Sequence, residues 1–134
     1  MKITFSNTKL RGDHHPNTTR ITIEKGSTKV TVIGSSLGAG RIMITEIDGY
    51  PVEITGSFPV LVIVAQDKPG IIAAISGALA ADDLNISTMR VSRRQKGGDA
   101  IHVYELDAPA RAAAIEHLRA LPAVKHVRAV DRVS

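Results

Sequence analysis

The stretch that most constrains this chain is residues 60–86. Val60-Leu61-Val62-Ile63-Val64-Ala65 leads into Gln66-Asp67-Lys68-Pro69-Gly70, then on through Ile71, Ile72 and Ile75 to Leu84-Asn85-Ile86. An apolar run this short, closed at once by turn residues, reads as a buried strand rather than a helix. Asp67 suits an N-cap, Pro69 the first helical turn, and Gly70 a close approach of the backbone. Ile71, Ile72, Ile75, Ala78 and Leu79 then fall on one helical stripe that stops at Ala81. Asp82-Asp83 ends the helix, because Asp tolerates the left-handed conformation a C-terminus often needs, and Asn85-Ile86 opens another strand.

The pattern continues with a strand from Ile86 to Arg93, a turn at Gln95-Lys96-Gly97-Gly98-Asp99 and a partner strand from Ala100 to Leu106. Met89 and Val91 are expected to share the helix-covered face with Ile101 and Val103, which puts His102 and Tyr104 on the opposite face. A lone strand histidine such as His102 reads as a packed or interface side chain. Asp107-Ala108-Pro109 is expected to cap a second helix carrying Ala114, Ile115, Leu118 and Leu121, with Pro122 ending it and Val124 to Val130 as the last strand. Strand, helix, strand, strand, helix, strand is the ferredoxin-like order. Its helices lie on one side and its strand edges stay open, so edge-to-edge pairing predicts a homodimer.

The first part of the chain reads differently. Arg20-Ile21-Thr22-Ile23-Glu24 and Lys29-Val30-Thr31-Val32-Ile33 alternate around Lys25-Gly26-Ser27, and Asp48-Gly49 between two apolar runs is a strong hairpin signal. Between them Gly34-Ser35-Ser36-Leu37-Gly38-Ala39-Gly40 is expected to interrupt the strands. It either connects them or forms an anion or interface loop in which Ser35, Ser36, Gly38, Gly40 and Arg41 supply donors. It lacks the Gly-Lys-Ser/Thr ending of a phosphate-binding loop and the spacing of a dinucleotide fingerprint. His14 and His15 raise a metal question, but neighbours in extended chain point apart, and no second histidine cluster completes a ligand set.

Charge narrows the partners. The net +4 divides evenly, with seven Lys/Arg against five Asp/Glu in residues 1–58 and ten against eight in 59–134. The local excess at Arg90, Arg93, Arg94 and Lys96 has none of the aromatic neighbours that stack on bases, so nucleic acid is not expected. No apolar run reaches spanning length and the first residues lack a signal-peptide core, which makes no membrane and a cytoplasmic location the expectation. Zero cysteines exclude a disulfide and a Cys-ligated metal centre on this chain. The fold class expected is α+β, with a small, mostly-β segment over residues 1–57 and a ferredoxin-like βαββαβ domain over residues 58–134.

The strand, Asp-Lys-Pro-Gly turn, helix and Asn-Ile sequence resemble the ACT domain, a ligand-sensing module of amino-acid metabolism. The resemblance implies effector binding where the first turn of one copy faces the Asn-Ile region of another. Carried over by position, the contacts are Asp67, Lys68, Pro69, Gly70, Asn85 and Ile86. Serine-sensing members often carry His two residues before Asp67, where this chain has Ala65.

The ordered set of His-Pro-Asn-Thr, two alternating strands, Gly-Ser-Ser-Leu-Gly-Ala-Gly, Ile-Asp-Gly-Tyr and an ACT module resembles the C-terminal, regulatory part of the beta chain of bacterial iron–sulfur L-serine dehydratases. Residues 1–57 then correspond to an allosteric-substrate-binding-type domain. The family converts L-serine to pyruvate and ammonia with a 4Fe-4S cluster held by the catalytic alpha portion. That portion, and the Ser-Ser-Ser-His-Thr segment of the family's active site, are absent here. The resemblance therefore implies a chain without catalytic residues of its own. It would have no cofactor, bind L-serine or a related amino acid, pair with itself through ACT domains and partner the alpha chain. The competing readings are the regulatory end of a D-3-phosphoglycerate dehydrogenase and an assembly module that binds no ligand.

Overall fold

Short alternating runs joined by glycine turns make the first part of the chain a meander. The computed structural model describes residues 2–6 and 18–130, so His14 and His15 lie outside the described residues. The chain divides between Thr55 and Gly56 into two units. In the first, β1 (Lys2–Ser6), β2 (Thr18–Lys25), β3 (Thr28–Gly38), β4 (Arg41–Ile47) and β5 (Tyr50–Ile54) form one antiparallel sheet in chain order. Asp48 and Gly49, at φ 49° and 83°, form the two-residue turn that joins Ile47 to Tyr50, the conformation that matches strand twist. Asp48 also ties this turn to β3, its Oδ1 accepting from Thr31 N–H at 2.7 Å and its own N–H donating to Thr31 O at 2.8 Å.

The glycine-rich stretch departs from the expectation of an interrupting loop. β3 runs through it to Gly38, with register shifts at Ile33/Gly34 and Ser36/Gly38, and only Ala39 and Gly40 lie between the strands. Bulges absorb the irregular residues without ending the ladder. The reversal itself uses positive φ at Gly38, Ala39 and Gly40.

In the second unit β6 (Val60–Gln66), α1 (Ile71–Ala81), β7 (Ile86–Arg93), β8 (Asp99–Leu106), α2 (Ala112–Arg119) and β9 (Val124–Val130) follow in turn. The four strands lie in the order β7-β8-β6-β9, all antiparallel. This is the expected ferredoxin-like α+β arrangement, with the apolar β6 central and β7 and β9 at the edges. Ile71, Ile75 and Leu79 of α1 and Leu118 of α2 pack onto Leu61, Ile63, Tyr104, Leu106 and Val127. Burying a side chain of that size stabilises by about 1.5–3 kcal/mol.

The C-terminus of α1 closes as expected. Asp83 takes φ 57°, and Asp83 and Leu84 donate backwards to Ala80 O and Leu79 O at 3.0 and 2.9 Å, the paired bonds that satisfy a helix's last carbonyls.

Three local expectations are corrected. Asp67 does not cap α1; Gly70 does, at φ 89° and ψ −10°, with no side-chain cap bond. α2 begins at Ala112 with an extended Arg111 as its cap, not at Asp107-Ala108-Pro109, since a residue before proline is biased away from helix. The faces of β8 are also reversed. Met89 pairs with Tyr104 and Val91 with His102, so His102 and Tyr104 lie on the helix-covered face and both are fully buried. A register change of one residue transfers every side chain to the other face.

Candidate functional site

The turn after β6 is held from two sides. Gln66 N–H donates to Ala123 O and Asp67 N–H to Gly98 O, each at 2.8 Å. The chain then crosses Lys68 and Pro69, reverses at left-handed Gly70, and enters α1 as Ala74 N–H closes onto Gly70 O at 2.9 Å. Ile71 N–H reaches back only to Lys68 O, at 3.3 Å. The amides of Ile72 and Ala73 have no carbonyl within the helix to receive them, because a helix leaves its first N–H groups unpaired. Those amides and the helix dipole favour an anion at this end.

A cleft of about 450 Å³ opens here, walled by the turn from Asp67 to Gly70, the first residues of α1, Val91 and His102. The volume is of the size that small-molecule sites take. Asp67 Oδ2 accepts from Arg93 Nη1 at 2.7 Å and from Gly97 N–H at 3.3 Å. The Arg93 hydrogen bond, then that of Gly97, holds the Asp67 carboxyl below the usual carboxylate range. Burial lowers the His102 pKa below that of a surface histidine, while the Asp67 charge pulls it up. Burial raises the Tyr104 phenol to about 12, against a hydrogen bond from Ser76.

The structure gathers part of the expected site. Asp67, Lys68, Pro69 and Gly70 line one cleft. Asn85 and Ile86 are not among its walls. Asn85 Nδ2 instead donates to Asp107 Oδ2 at 2.7 Å, at the start of β7, whereas Asp67 meets Arg93 at its end. In the first unit Ser35 is buried with its hydroxyl 3.1 Å from that of Thr18, Ser36 Oγ accepts from Gly38 N–H at 3.5 Å, and Gly38, Gly40 and Arg41 are exposed where β3 turns into β4. Sequence reasoning read His102 as a packed or interface side chain rather than a wall of a cleft, and the structure has it buried there. Its only signal was a polar side chain between Ile101 and Val103, and strand pairing decides which face that side chain joins. Among the described residues no cluster of three His, Cys, Asp or Glu side chains is placed to hold a metal ion, and no helix is long and apolar enough to cross a membrane.

The family model for the ACT domain matches residues 59–123, covering this cleft and the elements from β6 to α2. The second unit is an ACT domain. Over most of its length the chain is also similar to L-serine dehydratase beta chains, as the sequence resemblance implied. It is 36% identical over 115 residues to the probable L-serine dehydratase beta chain of Bacillus subtilis, covering 84% of this chain and 51% of that protein. It is 26% identical over 106 residues to the beta chain of Peptoniphilus asaccharolyticus, covering 78% and 48%. Similarity of 27% over 119 residues extends to D-3-phosphoglycerate dehydrogenase of Methanocaldococcus jannaschii, covering 89% of this chain and 22% of that protein. The chain thus spans about half the length of the beta chains it matches. Its ACT domain has Ala65 fully buried in β6, two residues before Asp67.

Proposed function

We propose that the chain is the amino-acid-sensing, regulatory part of an L-serine dehydratase, and that its ligand is L-serine or a close relative. The observation that carries this reading is the cleft between the β6–α1 turn and β8, which offers unpaired helix amides to a carboxylate and turn carbonyls with Asp67 to an ammonium. Arg93 and Gly97 both engage Oδ2 of Asp67, so Oδ1 is the oxygen assigned to the ligand.

Asn85 joins such a site only from a second copy. β7 has eight residues, which span roughly 25 Å at about 3.3 Å each, and Asn85 and Asp67 lie at its opposite ends. β7 is also a sheet edge with exposed residues in its middle. Antiparallel pairing of two β7 edges would bring Asn85 and Ile86 of one copy toward the cleft of the other and satisfy both edges' backbone groups. Ligand bridging two copies would shift their equilibrium by its differential affinity for the two arrangements, typically about 1–3 kcal/mol.

In this reading the dehydratase chemistry belongs to the catalytic alpha portion. The present chain has no cysteine to hold a 4Fe-4S cluster and contributes regulation. The similarity to D-3-phosphoglycerate dehydrogenase supports a second reading, the regulatory end of that enzyme, with the same cleft and the same ligand class.

A thermal melt against L-serine, D-serine and L-leucine tests the sensor. At a hundredfold excess over its dissociation constant a ligand of the folded state adds about 2.7 kcal/mol, on the order of 10 °C for a domain of this size. A shift with L-serine alone supports the reading. No shift with any amino acid would leave the module a ligand-free assembly element.

A further inference from the structure

His102 is a fully buried wall of the cleft, on the central strand β8, with Ile63 and Val91 as its register neighbours. Its ring stacks with that of Tyr104 at an interplanar angle of 10°, and Nδ1 lies 3.4 Å from the Tyr104 oxygen. On the other side of the ring, Nε2 has no hydrogen-bond partner, although it is buried. Native structures seldom keep a buried polar atom unpaired, and one beside a cleft has an evident use.

The tautomer turns on Tyr104, whose hydroxyl lies 3.4 Å from Nδ1. With that hydroxyl taken as the donor, Nδ1 is the acceptor. A neutral imidazole that accepts at one nitrogen carries its proton on the other. Nε2 is then a donor, and burial keeps the ring in that neutral form.

We propose that the Nε2–H of His102 binds the carboxylate of the cleft's ligand, completing the anion site begun by the amides of Ile72 and Ala73. The proposal rests on the reading of the cleft as an amino-acid site and names the residue that fixes how the ligand lies in it. Three N–H groups from two elements, α1 and β8, define a direction for the carboxylate. The helix N-terminus alone would supply attraction with little orientation. Nε2 is closed off from water in this structure, so the cleft wall must yield for the ligand's oxygen to reach it, and the bond then forms in a setting where hydrogen bonds are electrostatically stronger. The consequence is selectivity. An analogue whose carboxylate is replaced by a neutral carboxamide leaves the donor poorly matched, and a site built around hydrogen bonds rejects a mismatched ligand strongly.

Calorimetric titration of the full chain with L-serine and L-serinamide tests this, using His102→Phe, which keeps a ring without the donor, and His102→Gln, which keeps an N–H at similar reach. Loss of a hydrogen bond to a charged group predicts roughly tenfold to hundredfold weaker L-serine binding by His102→Phe. Its L-serinamide affinity should stay near the wild-type value, and His102→Gln should retain most of the L-serine affinity. Unchanged L-serine binding by His102→Phe, or an equal loss for both ligands, would overturn the role of His102 and leave the amino-acid site standing. Failure of the wild-type chain to bind L-serine would remove both. Long-range 1H–15N spectra of the wild-type chain decide the matter without a variant. A proton on Nε2 and a movement of that resonance on adding L-serine are expected, and a proton on Nδ1 or an unmoved Nε2 overturns the proposal.

Discussion

Arg93 Nη1 donates to Asp67 Oδ2 at 2.7 Å, so the last residue of β7 holds the first residue after β6. The bond joins two elements that are not neighbours in the sheet, since β8 lies between them. It also explains why Asp67 leaves the capping of α1 to Gly70. Its carboxylate is turned toward Arg93 and Gly97, across the cleft's edge rather than along the helix axis.

That pairing gives a pH dependence with a definite sign. The Asp67 pKa is depressed in the folded chain, so its stabilisation is present above the unfolded value of about 3.9 and is lost as pH falls through the lower folded value. Asp67→Asn should therefore melt below the wild type at pH 7, with the gap closing in acid. Parallel melts from pH 7 to pH 3 measure it, and a gap that widens in acid would contradict the assignment.

His102 acts in the opposite range. Its folded pKa is lowered, chiefly by burial. As pH drops through the unfolded value of about 6.5 the unfolded chain takes up a proton that the folded chain refuses, and stability falls. The wild-type midpoint should decline more steeply than that of His102→Gln between pH 7 and the folded pKa. Above pH 7 the two slopes should match.

Gly70 supplies a conformation rather than space. A Cβ there would meet nothing within 4 Å, yet φ is 89°. Gly70→Ala should cost about 1–2 kcal/mol, the penalty of a left-handed backbone, while Gly70→Asn should cost less. Urea unfolding of the two variants measures the difference. Equal stability of Gly70→Ala and the wild type would mean that the turn relaxes.

Leu79 is fully buried in the core between α1 and the sheet. Leu79→Ala should lose about 2–5 kcal/mol in denaturant unfolding. Since Leu79 is not a wall of the cleft, the folded fraction should keep any ligand response.

The proposed pairing through β7 is tested at Met89, near the middle of that edge strand and exposed. Met89→Asp sets like charges close across a twofold axis, which destabilises strand pairing. Sedimentation should find the wild type dimeric and the variant shifted to monomer with an unchanged helical signal. A monomeric wild type would remove the second copy's Asn85 from the site.

How much of this was legible depends on the range of the interactions involved. The continuous apolar β6, the stripe of α1, the Asp83 exit and the Asp48-Gly49 turn are local patterns, set by side-chain period and backbone sterics over a few residues. They were enough to determine the element order of the second unit and the ACT resemblance. What no local pattern holds is register. The alternation of β8 says that His102 and Ile101 point apart, and only pairing with Ile63 and Val91 decides which of them meets the helices. Tertiary structure likewise turned Asp67 from a helix cap into the partner of Arg93, and drew Ser35 from an expected loop into a buried bond with Thr18. The sequence by itself determined the strands, helices and turn that make the cleft. The tertiary structure decided its floor, because a side chain's face and partners depend on contacts between residues far apart in the chain.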